Sequence, residues 1–335
     1  MTEPFSPGTL VRDRYEVEGL IGRGGMGAVF RVADRRLPGR LCALKAIRAP
    51  VGDIVDGEAA AATRKQFLAE ASTLARLDHP NLPKVSDYFG LEDYDCLVMD
   101  YVPGQDLNQR IADERRRNHF LPLDDVLGWI GQLCDVLEYL HSQQPPIIHG
   151  DVKPANIKLN REGVLKLVDF GLSHSGDPDD PRTLTGAGLR GIGSLPYAAL
   201  EQYAGSRLSP DPRSDIYSLG ATLYHLVTNQ PPASAHDRFL DPASLTPPDR
   251  INPGLPAEVS LAINAAMQPH PKDRPQSVRS WRADFPRGVV GAPRVAAGRE
   301  VTSAAATAAV WYDSRWHLLG ALVMVSLAVA LTLLR

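Results

Sequence analysis

The stretch His149-Gly-Asp151-Val-Lys153-Pro-Ala-Asn156 places an acid, a cation and an amide within six residues. The apolar segments Ile147-Ile148 and Ile157-Lys-Leu159 flank it, so it reads as a loop between ordered elements. A carboxylate there can accept a hydroxyl proton or orient the hydroxyl. The lysine can balance charge that develops on a phosphoryl group, and the asparagine can bind Mg²⁺. Asp169-Phe-Gly171 follows the apolar run Val164 to Val168. It offers a second metal carboxylate, followed by a glycine that permits a backbone switch.

Upstream, Gly22-Arg-Gly24-Gly-Met-Gly27-Ala-Val29 is a G-x-G-x-x-G-x-V run between two strand-like segments. Glycines let a backbone approach phosphates closely, with N–H groups facing the anion. A dinucleotide fold would need a helix straight after the glycines. Here Ala28-Val-Phe-Arg-Val32 continues as strand, which argues against it. Ala43-Leu-Lys45-Ala-Ile47 puts one lysine inside an apolar strand. Such a lysine either snorkels from an edge or meets an anion. Glu70, three positions after Phe67, is the candidate carboxylate, with a nucleotide phosphate as second anion.

These residues need elements to hold them. From Tyr15 to about residue 103 the chain reads as short strands: Tyr15 to Ile21, Ala28 to Ala33, Leu41 to Ile47, Val85 to Phe89 and Cys96 to Tyr101. One helix interrupts them, with Phe67, Ala71, Leu74 and Leu77 on one face. After Gly104 the pattern is mainly helical, with Val126, Ile130, Leu133, Cys134, Leu137 and Leu140 in one stripe. A small sheet region followed by a larger helical one predicts an α+β chain of two lobes with a cleft between them. No internal repeat is present. The 335 residues are 44% hydrophobic and 22% charged, which excludes a mainly disordered or fibrous chain. A net charge of −3 gives no basic field to gather nucleic acid. Cys42, Cys96 and Cys134 lie far apart in apolar runs, without the spacing of a metal site or a disulfide framework.

Taken together, the motifs resemble the eukaryotic-type (Hanks-type) protein kinase family over about Tyr15 to Phe285. The resemblance implies a bilobal kinase fold, with an N-lobe over 15–103 and a C-lobe over 104–285. It continues through Gly193-Ser-Leu-Pro-Tyr197, Ala199-Leu-Glu201 and Asp215-Ile-Tyr-Ser-Leu-Gly220. Arg274, in Pro271-Lys-Asp-Arg-Pro275, looks like the partner of Glu201, and Asp215 like the brace of the catalytic loop. By this resemblance Asp151 orients the acceptor hydroxyl and Lys153 meets the γ-phosphate. Asn156 and Asp169 hold Mg²⁺, with Mn²⁺ as an alternative. Lys45 holds the α- and β-phosphates of ATP and pairs with Glu70. Ile21, Gly22, Arg23, Gly24, Gly25, Met26, Gly27, Ala28 and Val29 cover the nucleotide, and Met99, Asp100 and Val102 belong to the adenine-binding hinge. The D-x-K-P-x-N pattern implies protein serine or threonine acceptors, and Met-Gly in the glycine loop looks most like bacterial members.

Two departures stand out. Gly150 replaces the usual arginine of His-Arg-Asp, and Leu200 replaces proline before Glu201. That arginine commonly pairs with a phosphate on the activation segment. Thr183 and Thr185 resemble autophosphorylated threonines, and without the arginine they are expected to contribute modestly to turnover. The rival readings are a membrane-tethered pseudokinase that only recruits partners and a small-molecule phosphotransferase. The first usually loses Lys45, Asp151 or Asp169; the second leaves Gly193 to Glu201 unexplained.

Leu318 to Leu334 is seventeen residues without a charge, the lower limit for a membrane helix. Trp311, Tyr312 and Trp316 precede it, at a headgroup position. A buried helix of a soluble core would carry a polar face, and this run has only Ser326 and Thr332. We expect a transmembrane helix over 316–335 after a juxtamembrane linker over 286–315. The flank carries Arg279, Arg282, Arg287, Arg294, Arg299 and Arg315 against Asp284, Glu300 and Asp313. The positive-inside rule then places the kinase domain on the cytoplasmic side of the cell membrane. No secretory signal is expected at Met1 to Gly8, and no sensor domain after the helix. Self-association is left open.

Overall fold

Alternation along the first strands sorts their side chains onto two faces, and that sorting builds the N-lobe. The computed structural model describes residues 4–24, 27–48, 71–91, 94–160, 162–169, 192–203 and 209–285. Gly25, Met26, Glu70, Phe170, Gly171, Thr183, Thr185, the linker and the apolar C-terminal run lie outside these residues. Strands β1 (Leu10–Val11), β2 (Tyr15–Gly24), β3 (Gly27–Asp34), β4 (Leu41–Arg48), β5 (Val85–Gly90) and β6 (Tyr94–Asp100) form one sheet in the order β1-β2-β3-β4-β6-β5. Every neighbouring pair is antiparallel.

Phe30 and Val32 of β3, Leu44 and Ala46 of β4 and Cys96 and Val98 of β6 are buried together with Tyr15 and Val17. The intervening residues face the other way. Val29 stands opposite Lys45, Lys45 opposite Leu97, and Ala43 opposite Met99, so these side chains share the second face. The packing reaches further toward the N-terminus than Tyr15. Phe5 is buried, with its ring centroid 5.4 Å from that of Phe30. All three cysteines are free and buried. Burial pushes the Cys96 and Cys134 thiols up to about 12, so they stay protonated.

Residues 71–75 are helical, and Ala71 and Leu74, with Leu77 just beyond, join the core of the helical lobe. That lobe contains α1 (Leu107–Arg116), α2 (Leu123–His141), α3 (Pro212–Thr228), α4 (Ala235–Leu240), α5 (Pro248–Ile251), α6 (Ala257–Ala266) and α7 (Val278–Arg282). The stripe from Val126 to Leu140 is fully buried along α2. Asp106 caps α1 and Asp211 caps α3, each accepting a backbone N–H. From Ser214 to Thr228 every residue of α3 is buried, so this helix is the axis of the lobe.

A small sheet sits against these helices: β7 (Gln105–Asp106), β8 (Ile157–Leu159) and β9 (Leu165–Leu167). Asn81 and Gln132 tie it to the rest. The Asn81 amide donates to Gln132 Oε1 and to the carbonyl of Leu165, and Leu165 N–H donates to the same Gln132 oxygen.

Glu201 and Arg274, whose pairing the resemblance implied, form an ion pair out of contact with water. Arg274 Nη1 and Nη2 reach the two carboxylate oxygens at 2.6 and 3.0 Å. Ser214 Oγ adds a third donor at 2.7 Å. The guanidinium also donates to the carbonyls of Arg213, Gln268 and Pro269 and lies over the Tyr217 ring. Removing one charge would leave the other buried without its counter-ion. Glu201→Gln is therefore expected to lower the unfolding free energy by about 3–5 kcal/mol. The reading is a lower urea midpoint at unchanged slope.

Candidate active site

The β8–β9 hairpin brings the ends of two sequence motifs together. Ile157 pairs with Leu167, and Val168 N–H donates to the Asn156 carbonyl at 2.8 Å. Asn156 thus stands where the hairpin begins and Asp169 just past its end. Asp169 takes a left-handed backbone, φ 56°, a conformation uncommon outside glycine that aspartate tolerates.

On the loop before β8, Asp151 gathers its neighbours. Lys153 Nζ donates to Asp151 Oδ2 at 2.8 Å, and Asn156 Nδ2 donates to the same oxygen at 2.8 Å and to the Asp151 carbonyl at 2.9 Å. Lys153 Nζ also donates to Ser194 Oγ at 2.6 Å. Ser194 was not singled out from the sequence as a functional residue. Its one signal was its place in Gly193-Ser-Leu-Pro-Tyr197. It links the loop acid, through Lys153, to the segment resembling a substrate-facing loop.

Asp215 braces this loop from α3. Its two oxygens accept the backbone N–H groups of His149 and Gly150 at 2.9 and 2.8 Å, and His141 Nε2 lies 2.9 Å from Oδ2. Burial alone would raise the Asp215 carboxyl, but the hydrogen bond and charge of His141 and the Gly150 N–H hold it below the usual range. His149 is buried and its ring is pushed toward neutrality by that burial. Gly150 sits at φ +73°, which a glycine adopts without strain.

Lys45 lies on the cleft-facing side of β4, with its Nζ 3.1 Å from Asp169 Oδ1. A half-buried ammonium needs an anion. Among the described residues the carboxylate it meets is Asp169, while Glu70 lies outside them. Ile47, Leu74, Leu82, Leu97 and Met99 make an apolar wall beside this pair. The glycine-rich run lies at the adjoining ends of β2 and β3, with Gly22 opposite Val29 and Gly24 opposite Gly27. A Cβ at Gly27 would clash with the Ala46 carbonyl oxygen, so the glycine here is required by the neighbouring strand β4. Ile21 and Arg23 are exposed on the same end of β2. Of the expected hinge, Met99 turns into the apolar wall and Val102 is buried. Asp100 accepts from Arg40 and from Lys84 N–H.

The donor set fits a hard divalent cation shared with a phosphate ligand. The Asn156 amide nitrogen is committed to Asp151, so its oxygen is presented away from that carboxylate. Asp169 is partly exposed and carboxylate, the ligand type Mg²⁺ prefers. Among the described residues no three His, Cys, Asp or Glu side chains converge into a protein-only cage. Asn156 and Asp169 would therefore hold such an ion together with phosphate oxygens.

Beyond Ser194 the segment that resembles a substrate-facing loop is anchored on α3. Tyr197 accepts from Ser218 Oγ through its carbonyl, and its hydroxyl meets His225 Nδ1 at 2.7 Å. Burial, with the positive charge of Arg115, pulls the His225 ring down to about 4 from an ordinary 6.5. Above pH 6.5 both folded and unfolded chains carry a neutral ring. As pH falls from 6.5 toward 4 the unfolded chain takes up a proton that the folded one refuses, so stability drops. The expected loss across that window is on the order of 3 kcal/mol. His225→Asn should show a flatter curve of urea midpoint against pH; parallel curves would contradict the assignment.

Residues 15–248 match the protein kinase domain family. The chain is 33% identical over 315 residues to the serine/threonine-protein kinase PknB of Mycobacterium tuberculosis, covering 89% of this chain and 47% of that protein. It is 33% identical over 297 residues to the serine/threonine-protein kinase pkn3 of Myxococcus xanthus, covering 83% and 50%. The chain thus spans about half the length of these curated relatives. The crystal structure of the Mycobacterium tuberculosis PknI kinase domain superposes with a TM-score of 0.60 at 28% identity, over 84% of this chain and 98% of that one. With the match running from the first long strand well into the helical lobe, this chain belongs to the protein kinase domain family.

Proposed function

We propose that this chain transfers the γ-phosphate of ATP to serine or threonine hydroxyls of proteins, from a position tethered to the cell membrane. The observation that carries the reading is Lys153, which touches Asp151 at 2.8 Å and Ser194 at 2.6 Å. One ammonium thereby joins the acid that would act on the hydroxyl to the segment that would present it. The relatives' description as serine/threonine-protein kinases supports the acceptor class.

In this reading the Asp151 carboxylate accepts a hydrogen bond from the acceptor hydroxyl and aims its oxygen at the γ-phosphorus. As the new P–O bond forms, the bond to the β–γ bridging oxygen breaks, ADP leaves, and the hydroxyl proton passes to Asp151. Lys153 stays protonated and offsets negative charge on the moving phosphoryl group. Lys45 faces the α- and β-phosphates, and the backbone of the glycine-rich run covers them. Mg²⁺, when bound by Asn156 and Asp169, neutralises phosphate charge. Self-phosphorylation at Thr183 or Thr185 is part of the proposal. Gly150 offers no guanidinium to such a phosphate, so turnover should depend on it only modestly.

The tether rests on the uncharged run Leu318 to Leu334. Among the described residues no helix is long and apolar enough to cross a membrane. Deleting 318–335 should move the protein from the membrane fraction to the supernatant with its transfer activity retained. An unfolded product would instead point to a buried helix.

The activity is tested by incubating the full chain with labelled ATP and Mg²⁺ and mapping labelled residues by mass spectrometry. Nucleotide binding without transfer would favour the recruiting scaffold. Asp151→Asn should reduce kcat by roughly 10²–10⁴-fold at unchanged nucleotide affinity, because the acid acts on the acceptor. Asp169→Asn should instead weaken Mg²⁺-dependent ATP binding. Superimposable metal titrations for wild type and Asp169→Asn would exclude that role.

A further inference from the structure

The peptide unit just before the loop acid is pinned at both ends. Its N–H, that of Asp151, donates to His149 Nδ1 at 3.3 Å. Its carbonyl, that of Gly150, accepts from Gln202 Nε2 at 3.1 Å. The same Gln202 amide accepts the Ala199 N–H through Oε1 at 2.9 Å. A carbonyl can only accept and a backbone N–H can only donate, so the two partners fix which way the amide faces. Gln202 is 2% exposed, so neither bond has water as a ready substitute.

We propose that Gln202 is a positioning residue: its side-chain amide locks the Gly150–Asp151 peptide plane to the backbone of the substrate-facing segment. The inference rests on the phosphotransfer reading above. Asp215 already holds the N–H groups of His149 and Gly150. It leaves the next peptide plane to be set by other groups. Glycine at position 150 makes the left-handed turn without strain, but it also has more backbone freedom than any other residue. Rotation of that plane would swing the Asp151 Cα–Cβ bond away from the acceptor. Gln202 removes this freedom with a neutral group built into the fold. Because Ala199 hangs on the other end of the amide, loop acid and acceptor segment move as one. No phosphate is needed for the coupling.

Two substitutions separate the bonds. Gln202→Glu keeps an oxygen for Ala199 N–H and loses the donor to Gly150 when the carboxyl is ionised. When the carboxyl is protonated, its O–H restores that donor. With the full chain and a protein acceptor, the wild-type to Gln202→Glu ratio of kcat should grow from near one at roughly pH 6 to about tenfold or more at roughly pH 8.5. Acceptor KM and nucleotide Kd should stay within about twofold. Gln202→Leu loses both bonds, so kcat should fall and acceptor KM rise, still at unchanged nucleotide Kd. A pH-independent Gln202→Glu ratio, or equal losses in nucleotide binding and kcat, overturns the proposal. Amide hydrogen exchange provides a reading that needs no activity. Gln202→Leu should speed exchange at His149 to Val152 by about tenfold or more while α3 stays protected. Faster exchange in a protein without transferase activity would sink the phosphotransfer reading and leave the lock standing. Unchanged exchange at these amides would overturn the lock itself.

Discussion

Asp215 carries a charge that no water reaches, and much of the site follows from how that charge is satisfied. A buried carboxylate is tolerable only when donors surround it. Here the donors are His141 and the backbone N–H groups of His149 and Gly150, on the loop that carries Asp151. The loop is therefore the solvation shell of an anion, and it cannot change shape without exposing that anion to an apolar helix. Because α3 is buried on all sides, the anion is itself immovable. Precision at Asp151 is thus inherited from the best-packed element of the lobe rather than from the loop's own sequence.

A second pair of fixed charges, Glu201 and Arg274, closes the far end of the segment from Ser194 to Glu201. Between the two, Ser194 is held by Lys153, and Tyr197 by His225 and Ser218. The contrast with Lys45 is physical. Lys45 rides on a strand of the other lobe and meets the helical lobe's Asp169 across the cleft, through an ion pair that is partly exposed. Lys45 is thus joined to the helical lobe by a contact that solvent screens, whereas the loop carrying Asp151 is joined to it by buried bonds.

Legibility in the sequence tracked periodicity. The short apolar runs Ala28 to Ala33 and Leu41 to Ile47 marked two central strands of the N-lobe sheet, and the 3.6-residue stripe from Val126 to Leu140 named the buried face of α2. Asn156 and Asp169 were readable as a pair because each adjoins a short apolar strand, and the hairpin brings those ends together. What escaped was aperiodic and long-range. Ser194 reaches Lys153 across 41 residues, and Asn81 reaches Leu165 across 84. Hydroxyls and amides of this kind satisfy buried partners that only the folded chain brings near. Phe5 escaped for another reason: a lone aromatic in a polar, proline-containing stretch has no pattern around it, and its burial depends on Phe30 and Tyr94.

The β8–β9 hairpin separates two kinds of change that a chain can undergo. Its strands set the spacing between Asn156 and Asp169 through their register, sealed by the bond from Val168 to Asn156. Its turn, closed by the Asn160 side chain on Val164 N–H, has no part in that spacing. Residues inserted at the turn would lengthen a surface bend and leave Asn156 and Asp169 where they are. A single residue inserted in either strand would flip its neighbours to the opposite face and pull the groups apart. The turn is therefore a natural place to attach a label or graft a peptide, a few residues from the chemistry yet mechanically insulated from it.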